Sequence, residues 1–377
     1  MILGVLKEAS TENRVSLVPA IVQQLVQSKV TVWVEKGAGS NAWLPDEAYE
    51  QAGAVIQNRE TILQQATVLL CIQPLSEQES GNLNPSTVLL GVYQPLFQTA
   101  KMKQWAQRQL TVFSLDNIPR TTRAQSMDVL SSQANIAGYK AILLAANSYS
   151  RYFPMFMTAA GSIAPAKVLI LGAGVAGLQA IATARRLGAV VEVFDTRPAV
   201  KEEVMSLGAK FVDVEGAADA SSAGGYAVEQ TADYQAKQAA AIGEAAKKAD
   251  IIITTAQIPG KKAPILITRE MMDMMKPGSL IVDIAAATGG NTDISKDQQT
   301  VTYKGVTVIG DSNLPSKMPA DASKLYAKNV LNFLQLIIDK EGQLSLNFED
   351  DIVQGACIAK GGQIVNERLL QAITAAV

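Results

Sequence analysis

Residues 168–178 join an apolar run to a glycine-rich spacing in the stretch Val168-Leu169-Ile170-Leu171-Gly172-Ala173-Gly174-Val175-Ala176-Gly177-Leu178. The apolar run predicts a buried strand, and the G-x-G-x-x-G spacing predicts a tight turn into a helix. The first glycine of such a turn permits a sharp bend, the second leaves room for a pyrophosphate, and the third lets helix and strand pack closely. Free amides at the start of the helix favour an anion. The stretch therefore predicts a strand, a phosphate-binding turn and a helix.

A second strand is predicted over 190–194 and ends at Asp195, about 20 residues past the glycines. A carboxylate at this distance can bind both ribose hydroxyls of an adenosine, and its charge repels the 2′-phosphate of NADP. The sequence therefore favours NAD(H). Arg197 is the alternative, since its guanidinium could accept that phosphate. The predicted cofactor-binding residues here are Gly172, Gly174, Val175, Ala176, Gly177, Asp195, Thr196 and Arg197. The competing interpretation is a glycine-rich turn without a ligand.

The length and composition are those of a globular protein with two domains. The chain has 377 residues, of which 48% are hydrophobic and 18% charged, and its net charge is −2. This charge balance gives no reason to expect a nucleic acid or an anionic membrane as partner. The apolar start over 2–6 predicts a strand and not a signal peptide, and no apolar run is long enough to predict a membrane span. Cys71 and Cys357 are predicted to be inert buried thiols in a reducing compartment.

The chain contains no histidine at all. Histidine is the commonest group for the proton transfer that accompanies oxidation of an alcohol or an amine. Its absence also removes the commonest metal ligand, and the two cysteines are far apart in sequence, so no metal site is predicted. The composition therefore argues against a dehydrogenase that moves a proton with a hydride.

Apolar strands alternate with helical patterns through both halves of the chain, which predicts parallel sheets covered on both faces. The predicted fold is α/β, with two Rossmann-like domains that have parallel sheets, are joined by long crossing helices and leave a cleft between them. Residues 1–130 with 325–377 form the first α/β domain, and residues 131–324 form the Rossmann NAD-binding domain, whose sheet is closed by a strand over 305–310. The long helices are predicted over 129–148 and 323–339, and a long loop over 215–233.

Several motifs resemble the NAD(H)-binding component, the alpha subunit, of the proton-translocating NAD(P) transhydrogenase family. These motifs are Pro119-Arg120, Arg123-Ala124-Gln125-Ser126-Met127-Asp128, Ser131-Ser132-Gln133, Val193-Phe194-Asp195-Thr196-Arg197 and Gly224-Gly225-Tyr226-Ala227. The resemblance covers essentially the whole chain. It implies direct hydride transfer between NAD(H) on this chain and NADP(H) on a partner subunit, coupled to proton translocation by a membrane-spanning proton-channel component. It implies a cytoplasmic location, peripheral on the inner membrane through those partners.

Alanine dehydrogenase shares this fold and is the alternative, because its N-terminal motif resembles residues 12–15 here. Three positions separate the two families. Gln73 stands where alanine dehydrogenases carry a pyruvate-binding lysine, Gln94 where they carry the catalytic histidine, and Ala287 where they carry a catalytic aspartate. Without these groups the chain has no carbonyl clamp and no general acid or base. A third possibility is a non-catalytic NAD-binding module, against which the loop from Arg120 to Ser131 argues.

By resemblance, Arg120, Gln125, Asp128 and Ser131 form a catalytic loop that holds the nicotinamide end of NAD(H). A guanidinium suits pyrophosphate or carboxamide oxygens, and Asp128 with Ser131 can fix the carboxamide. The simpler interpretation of these four residues is a polar interdomain hinge with a helix N-cap. Hydride transfer between two nicotinamides needs positioning and the exclusion of water, with no proton donor.

The remaining predictions concern single residues and the oligomeric state. By resemblance, Tyr226 is the tip of a mobile lid, beside Gly224 and Gly225. Gln257 follows a strand end and is a candidate cofactor contact, although a plain turn explains it equally well. Arg14 is interpreted as a structural ion-pair partner. A homodimer is expected, with residues 265–267 and the methionine cluster over 271–275 as its contact, although these methionines equally fit the core.

Overall fold

The computed structural model describes residues 1–216 and 231–375. The chain divides into two compact units: unit 1 is Met1–Gln133 with Pro315–Val377, and unit 2 is Ala134–Leu314. The sequence pattern placed these boundaries near 131 and 324. The helix Val129–Ser148 begins in unit 1 and ends in unit 2.

The N-terminal segment of unit 1 alternates strands and helices. Its strands are β1 Ile2–Val5, β2 Thr31–Glu35, β3 Val55–Gln57, β4 Val68–Leu70, β5 Val88–Gly91 and β6 Thr111–Ser114. Its helices are α1 Pro19–Gln27, α2 Asp46–Gln51, α3 Arg59–Gln65, α4 Glu77–Gly81 and α5 Thr99–Gln107, and α6 Val129–Ser148 continues from it into unit 2. Pro19 starts α1, where the missing amide of proline costs no helical hydrogen bond.

Unit 2 repeats this alternation. Its strands are β7 Phe156–Thr158, β8 Gly161–Ile163, β9 Lys167–Leu171, β10 Val190–Phe194, β11 Lys210–Phe211, β12 Ile251–Thr254, β13 Leu280–Asp283, β14 Gln299–Tyr303 and β15 Val306–Gly310. Its helices are α7 Val175–Arg186, α8 Lys201–Ser206, α9 Ala232–Lys248 and α10 Arg269–Asp273. Because α9 begins at Ala232, the last two residues of the predicted loop 215–233 are helical, and most of that loop lies outside the described residues.

The chain then returns to unit 1 as α11 Pro319–Ile337, α12 Asp351–Ala356, β16 Cys357–Lys360, β17 Gln363–Ile364 and α13 Glu367–Ala375. The sheet of unit 1 has the order β17-β16-β6-β5-β4-β1-β2-β3. Its strands from β6 to β3 are parallel, as predicted, whereas β16 is antiparallel to both β6 and β17. The C-terminal segment therefore adds an antiparallel edge that the alternating pattern did not predict.

The large sheet of unit 2 has the order β11-β10-β9-β12-β13-β15-β14. Its pairs are parallel except at the edge, where β14 is antiparallel to β15. The prediction that residues 305–310 close this sheet was wrong, because β14 lies beyond them. A hairpin, β7 and β8, forms a separate sheet with two strands.

Side chains of successive strand residues lie in different cores. Val68 and Leu70 of β4 belong to one buried cluster and Leu69 to another, and in β12 Ile252 is likewise separated from Ile251 and Ile253. Each main sheet is therefore apolar on both faces, as its continuous apolar strands predict.

Both cysteines are buried and not in a disulfide. Burial raises the pKa of the Cys71 thiol to about 12 and that of Cys357 to about 12. The prediction of inert buried thiols is confirmed. Across residues 1–216 and 231–375, no helix combines the length and apolar character needed to cross a membrane.

Candidate functional site

The turn after β9 needs glycine at its first position. Gly172 has a φ of +104°, and a Cβ there would lie 2.4 Å from Oγ1 of Thr255. The Thr255 hydroxyl donates one hydrogen bond that is shared between the carbonyl oxygens of Leu171 and Gly172, at 3.3 and 3.1 Å. Thr255 thus supports the turn from the neighbouring strand end, a role that the sequence alone did not indicate.

The other two glycines differ in what surrounds them. A Cβ on Gly177 would lie 1.9 Å from the carbonyl oxygen of Gly172, so α7 packs directly on the turn. A Cβ on Gly174 would meet no atom within 4 Å. The space beside Gly174 is therefore open, while Gly177 is required for packing.

This arrangement fits an anion such as pyrophosphate. Gly174 is the N-cap of α7 and has no side chain to cap the helix, and the first turn contains no acidic residue. The first amides of a helix have no acceptor within the helix, and they form the positive end of its dipole. The open space beside Gly174 is where such a group would approach these amides.

A glycine outside the motif holds α7 in place. A Cβ on Gly138 of α6 would lie 2.0 Å from the carbonyl oxygen of Ala176, so the two helices are in backbone contact. Nearby, Asn135 donates a hydrogen bond to Gln179 at 3.2 Å. The sequence reasoning missed Gly138; a lone glycine within a long helical pattern is the signal that could have found it.

Asp195 and Arg197, which the sequence treats as alternatives, form one ion pair. Arg197 Nε and Nη2 donate to the two Asp195 oxygens at 2.9 and 2.8 Å. The backbone amides of Ala173 and Arg197 donate to the same carboxylate at 2.7 and 2.8 Å. Hydrogen bonding to Asp195 raises the pKa of Arg197. Four donors fill the usual acceptor capacity of a carboxylate, so a ribose would have to displace one of them.

The segment after β12 is braced by Asn291, which is fully buried. The Asn291 side chain accepts a hydrogen bond from the amide of Ala256 at 3.1 Å and donates to the carbonyls of Ala256 and Pro264 at 2.9 and 2.8 Å. Gln257 is exposed, and its Nε2 donates to the carbonyl of Ile284 at 3.3 Å. Asn291 was missed because its role depends on contacts with a distant segment.

The structure describes the three positions that were expected from the sequence to distinguish this chain from alanine dehydrogenases. Ala287 lies in a short 3₁₀ helix, Ala286–Thr288, and is exposed. Gln94 is exposed with a φ of +46°, and the amide of Gln73 donates to Glu8 at 3.2 Å. None of the three side chains can exchange a proton near neutral pH.

The predicted catalytic loop lies in unit 1 and is held by buried residues. Ala124 and Met127 are buried, whereas Arg120 and Gln125 are exposed. Gln125 begins a 3₁₀ turn that ends at Met127. The loop therefore has a packed backbone that presents two polar side chains.

Asp128 and Ser131 are in direct contact at the start of α6. The Asp128 carboxylate accepts hydrogen bonds from the Ser131 amide at 2.9 Å and from the Ser131 hydroxyl at 2.5 Å. Asn329 of α11 donates to the carbonyl of Ser126 at 2.8 Å and accepts from the Ser132 hydroxyl at 2.7 Å. The simpler N-cap interpretation is therefore correct for Asp128, whatever further role this residue has.

The predicted lid residues, Tyr226 with Gly224 and Gly225, lie outside the described residues.

The interpretation of Arg14 as a structural ion-pair partner is confirmed. Arg14 donates to both Glu12 oxygens at 2.8 and 2.7 Å, and to Oε1 of Gln133 at 2.8 Å. Burial acts to raise the pKa of Glu12, but the hydrogen bonds and charge of Arg14 lower it overall.

The neighbouring Glu8 accepts amide hydrogen bonds from Ile72 and Gln73, and burial raises its pKa to about 7.

The methionine cluster belongs mainly to the core of unit 2. Met271, Met272 and Met275 are buried in one apolar cluster, and Met274 is exposed. Ile267 is fully buried as well. The core interpretation is therefore confirmed for Met271, Met272 and Met275, whereas Met274 and Ile265 are exposed.

Comparison with known proteins agrees with this geometry. Residues 4–137 match the family model "Alanine dehydrogenase/PNT, N-terminal domain", and residues 141–367 match "Alanine dehydrogenase/PNT, C-terminal domain". The chain is 45% identical over 367 residues to an NAD(P) transhydrogenase alpha-subunit polypeptide of Rhodospirillum rubrum, covering 95% of this chain and 96% of that protein.

Two solved structures are also similar. The crystal structure of transhydrogenase from Sinorhizobium meliloti superposes with a TM-score of 0.88 at 44% identity, covering 97% of this chain and all of that one. An L-alanine dehydrogenase has a TM-score of 0.84 at 23% identity and covers the whole of both chains, which shows a common fold. The chain therefore belongs to the alanine dehydrogenase/PNT family and, within it, resembles the transhydrogenase alpha subunits more closely than the alanine dehydrogenases.

Proposed function

We propose that this chain is the NAD(H)-binding alpha subunit of a proton-translocating NAD(P) transhydrogenase. It exchanges hydride directly between NAD(H) on this chain and NADP(H) on a partner subunit, and a membrane-spanning proton-channel component couples the exchange to proton movement. The observation that carries the proposal is the glycine turn with its open space beside Gly174 in a chain that has no histidine. Such a chain has the means to bind a dinucleotide but lacks the usual proton donor.

In this proposal the residues of unit 2 bind the cofactor. Gly172, Gly174, Val175, Ala176 and Gly177 bring the turn and the amides of α7 to the pyrophosphate. Asp195, with Thr196 and Arg197 beside it, determines the choice between NAD(H) and NADP(H). Gln257 and Tyr226 are further proposed contacts, Tyr226 as part of a lid. NAD(H) itself supplies the nicotinamide carbon that gives or accepts the hydride.

The residues of unit 1 position the nicotinamide. Arg120 and Gln125 are exposed polar side chains on a packed backbone, which suits contact with a ligand at little cost in loop entropy. Asp128 and Ser131 are already fixed by their mutual hydrogen bonds. Positioning of this kind is sufficient, because hydride transfer between two nicotinamide rings leaves no proton to be moved at the reacting carbons.

The alternative is an alanine dehydrogenase-like oxidoreductase, and the shared fold supports it. Gln73, Gln94 and Ala287 argue against it, since an amide and a methyl group cannot replace a lysine, a histidine or an aspartate in acid–base chemistry. We further propose that the chain forms a homodimer and lies in the cytoplasm, held at the inner membrane by its partner subunits.

The decisive experiment mixes the chain with an NADP(H)-binding component and follows direct hydride transfer between the nucleotides. Arg120→Ala and Asp128→Asn should lower the transfer rate about 100-fold, because a misplacement of about 1 Å can cost that much, while NADH affinity falls much less. Asparagine is as good an N-cap as aspartate, so Asp128→Asn leaves α6 capped. A loss of NADH affinity with an unchanged transfer rate would refute the positioning role.

A further inference from the structure

Asn329 is a buried polar residue in the middle of α11. Only 8% of its surface is exposed, and the buried residues near it on the helix are Tyr326, Val330 and Phe333. An amide that is buried among apolar groups costs free energy unless it is hydrogen-bonded. The hydrogen bonds of Asn329 therefore indicate why an amide stands at this position.

The Asn329 side chain joins the segment 120–131, here called the nicotinamide loop, to the first turn of α6. Its Nδ2 donates to the carbonyl of Ser126 at 2.8 Å, and its Oδ1 accepts from the Ser132 hydroxyl at 2.7 Å. Asp128 lies between these two serines in the chain. The backbone that carries Asp128 is therefore tied to α11 on both sides.

A second asparagine of α11 adds to the contact with the loop. Asn332, three residues further along the helix, donates to the same Ser126 carbonyl at 2.9 Å. Two donors satisfy both lone pairs of that oxygen. The bond to Ser132 belongs to Asn329, so Asn329 is the residue that holds the loop and the start of α6 together.

The nicotinamide loop has another anchor, which is exposed. Arg123 donates to the two carboxylate oxygens of Asp350 at 2.6 and 2.8 Å, and it also contacts Asp351. The Arg123 side chain is 51% exposed, and surface ion pairs contribute little because water and salt screen them. The hydrogen bonds of Asn329 are made by a buried side chain and are not screened in this way, so we expect them to hold the loop more firmly.

We propose that Asn329 is a positioning residue for hydride transfer, because it fixes the backbone from which Asp128 and Ser131 hold the nicotinamide ring. This inference rests on the function proposed above. The amide of Asn329 is committed to Ser126 and Ser132, so it acts through the loop and not by contact with the cofactor. Without these bonds the ring can shift, and a displacement of about 1 Å can cost on the order of 100-fold in rate.

The test replaces Asn329 by leucine, which has a similar branched shape but forms neither hydrogen bond. When the chain is mixed with an NADP(H)-binding component, Asn329→Leu should transfer hydride at least about tenfold more slowly, whereas its NADH affinity should change less than about threefold. The fluorescence anisotropy of NADH bound to the chain alone should fall as well, because the nicotinamide ring moves more freely. This second readout requires no partner component.

A smaller change guards against misfolding of the leucine variant. Ser132→Ala removes the bond between Asn329 and α6 with little change in volume, and it should give the same slower transfer at nearly unchanged NADH affinity, to a smaller extent. Combining Ser132→Ala with Asn329→Leu should add little to the effect of Asn329→Leu, since both variants break the same contact.

Tyr49→Phe is the matched control. Tyr49 is fully buried in unit 1, and its hydroxyl donates to the carbonyl of Leu17 at 2.8 Å, so this variant also loses a buried hydrogen bond, but one made outside the nicotinamide loop. Both Tyr49→Phe and Asn329→Leu should be less stable than wild-type protein. Only Asn329→Leu should show slower transfer and lower anisotropy.

The outcomes separate this inference from the proposed function. No hydride transfer by wild-type protein in the mixture would refute the proposed function, and with it any role of Asn329 in that reaction. Transfer by wild-type protein, with an unchanged rate and anisotropy in Asn329→Leu, would leave the function intact and overturn the inference. Equal losses of rate and NADH affinity in Asn329→Leu and Tyr49→Phe would show a purely structural role and would overturn it too.

Discussion

At the scale of single residues, we propose that the Asp195–Arg197 pair decides which dinucleotide is accepted. The carboxylate holds the guanidinium with two hydrogen bonds and adds a negative charge of its own. We predict that wild-type protein binds NADH more tightly than NADPH. Asp195→Ala removes the repulsion and releases Arg197 towards a 2′-phosphate, so NADPH affinity should rise relative to NADH in a fluorescence titration.

The control for this prediction is the double variant Asp195→Ala with Arg197→Ala. It removes the negative charge without leaving a cation, so the gain in NADPH affinity should largely disappear. Equal binding of the two nucleotides by wild-type protein would contradict the role assigned to Asp195.

Glu8 gives a prediction for pH. Burial raises its pKa from 4.5 to about 7 in the folded protein, although two backbone amides donate to its carboxylate. Between these pH values the folded state keeps a proton that the unfolded state has released, so the free energy of unfolding falls as pH rises. Glu8→Gln should remove this decrease, which amounts to at most about 3 kcal/mol.

Urea unfolding of wild-type protein, Glu8→Gln and Glu50→Gln at pH 5 and pH 8 measures the effect of Glu8. The exposed Glu50→Gln variant is the control, and its pH dependence should match that of wild-type protein. If the free energy of unfolding changed by the same amount between pH 5 and pH 8 in all three proteins, the assignment to Glu8 would be wrong.

At the scale of an element, two glycines of the segment from β9 to α7 have different roles. Gly177 is needed for packing, whereas Gly174 is proposed to leave space for the ligand. Gly177→Ala brings a methyl group within 1.9 Å of the Gly172 carbonyl and should destabilise the protein by about 1–3 kcal/mol or more. Gly174→Ala meets no atom within 4 Å, so its melting temperature should be near that of wild type. Its NADH affinity should fall at least about tenfold, because the methyl group fills the space proposed for pyrophosphate.

Thermal unfolding and NADH titration of the two variants check this contrast. Each variant is the control for the other, since both add one methyl group to the same turn. If Gly174→Ala bound NADH as tightly as wild type, the proposed position of the pyrophosphate would be wrong.

At the scale of the whole molecule, the absence of histidine limits the proton-transfer chemistry available to the chain. The 377 residues include no histidine, and Gln73, Gln94 and Ala287 stand at the three positions expected to distinguish this chain from alanine dehydrogenases. We predict no NADH formation from L-alanine and NAD by the chain alone, because proton transfer by a positioned group typically contributes 10²–10⁴-fold. An absorbance assay at 340 nm, with an authentic alanine dehydrogenase as positive control, tests this. Turnover of alanine by the isolated chain would favour the alternative function.

The sequence by itself determined most secondary structure of both units. Continuous apolar strands such as 168–171 and 251–254 are local patterns, and their burial on both faces follows from composition alone. The helix 129–148 was predicted with the bounds that the structure has. The glycine motif, too, is a local signal, because the positive φ of Gly172 and the close contact of Gly177 with Gly172 both arise within six residues.

Tertiary structure alone decided the contacts made across long sequence separations. β14 and β16 form antiparallel pairs with β15 and β6. The apolar pattern of a strand does not indicate which strand it pairs with or in which direction. Gly138 against Ala176, and Asn291 against Ala256, join segments about 35–40 residues apart. Close packing restricts which residues fit at such contacts once the fold has formed. The neighbouring sequence, however, does not indicate which distant residue each of them contacts.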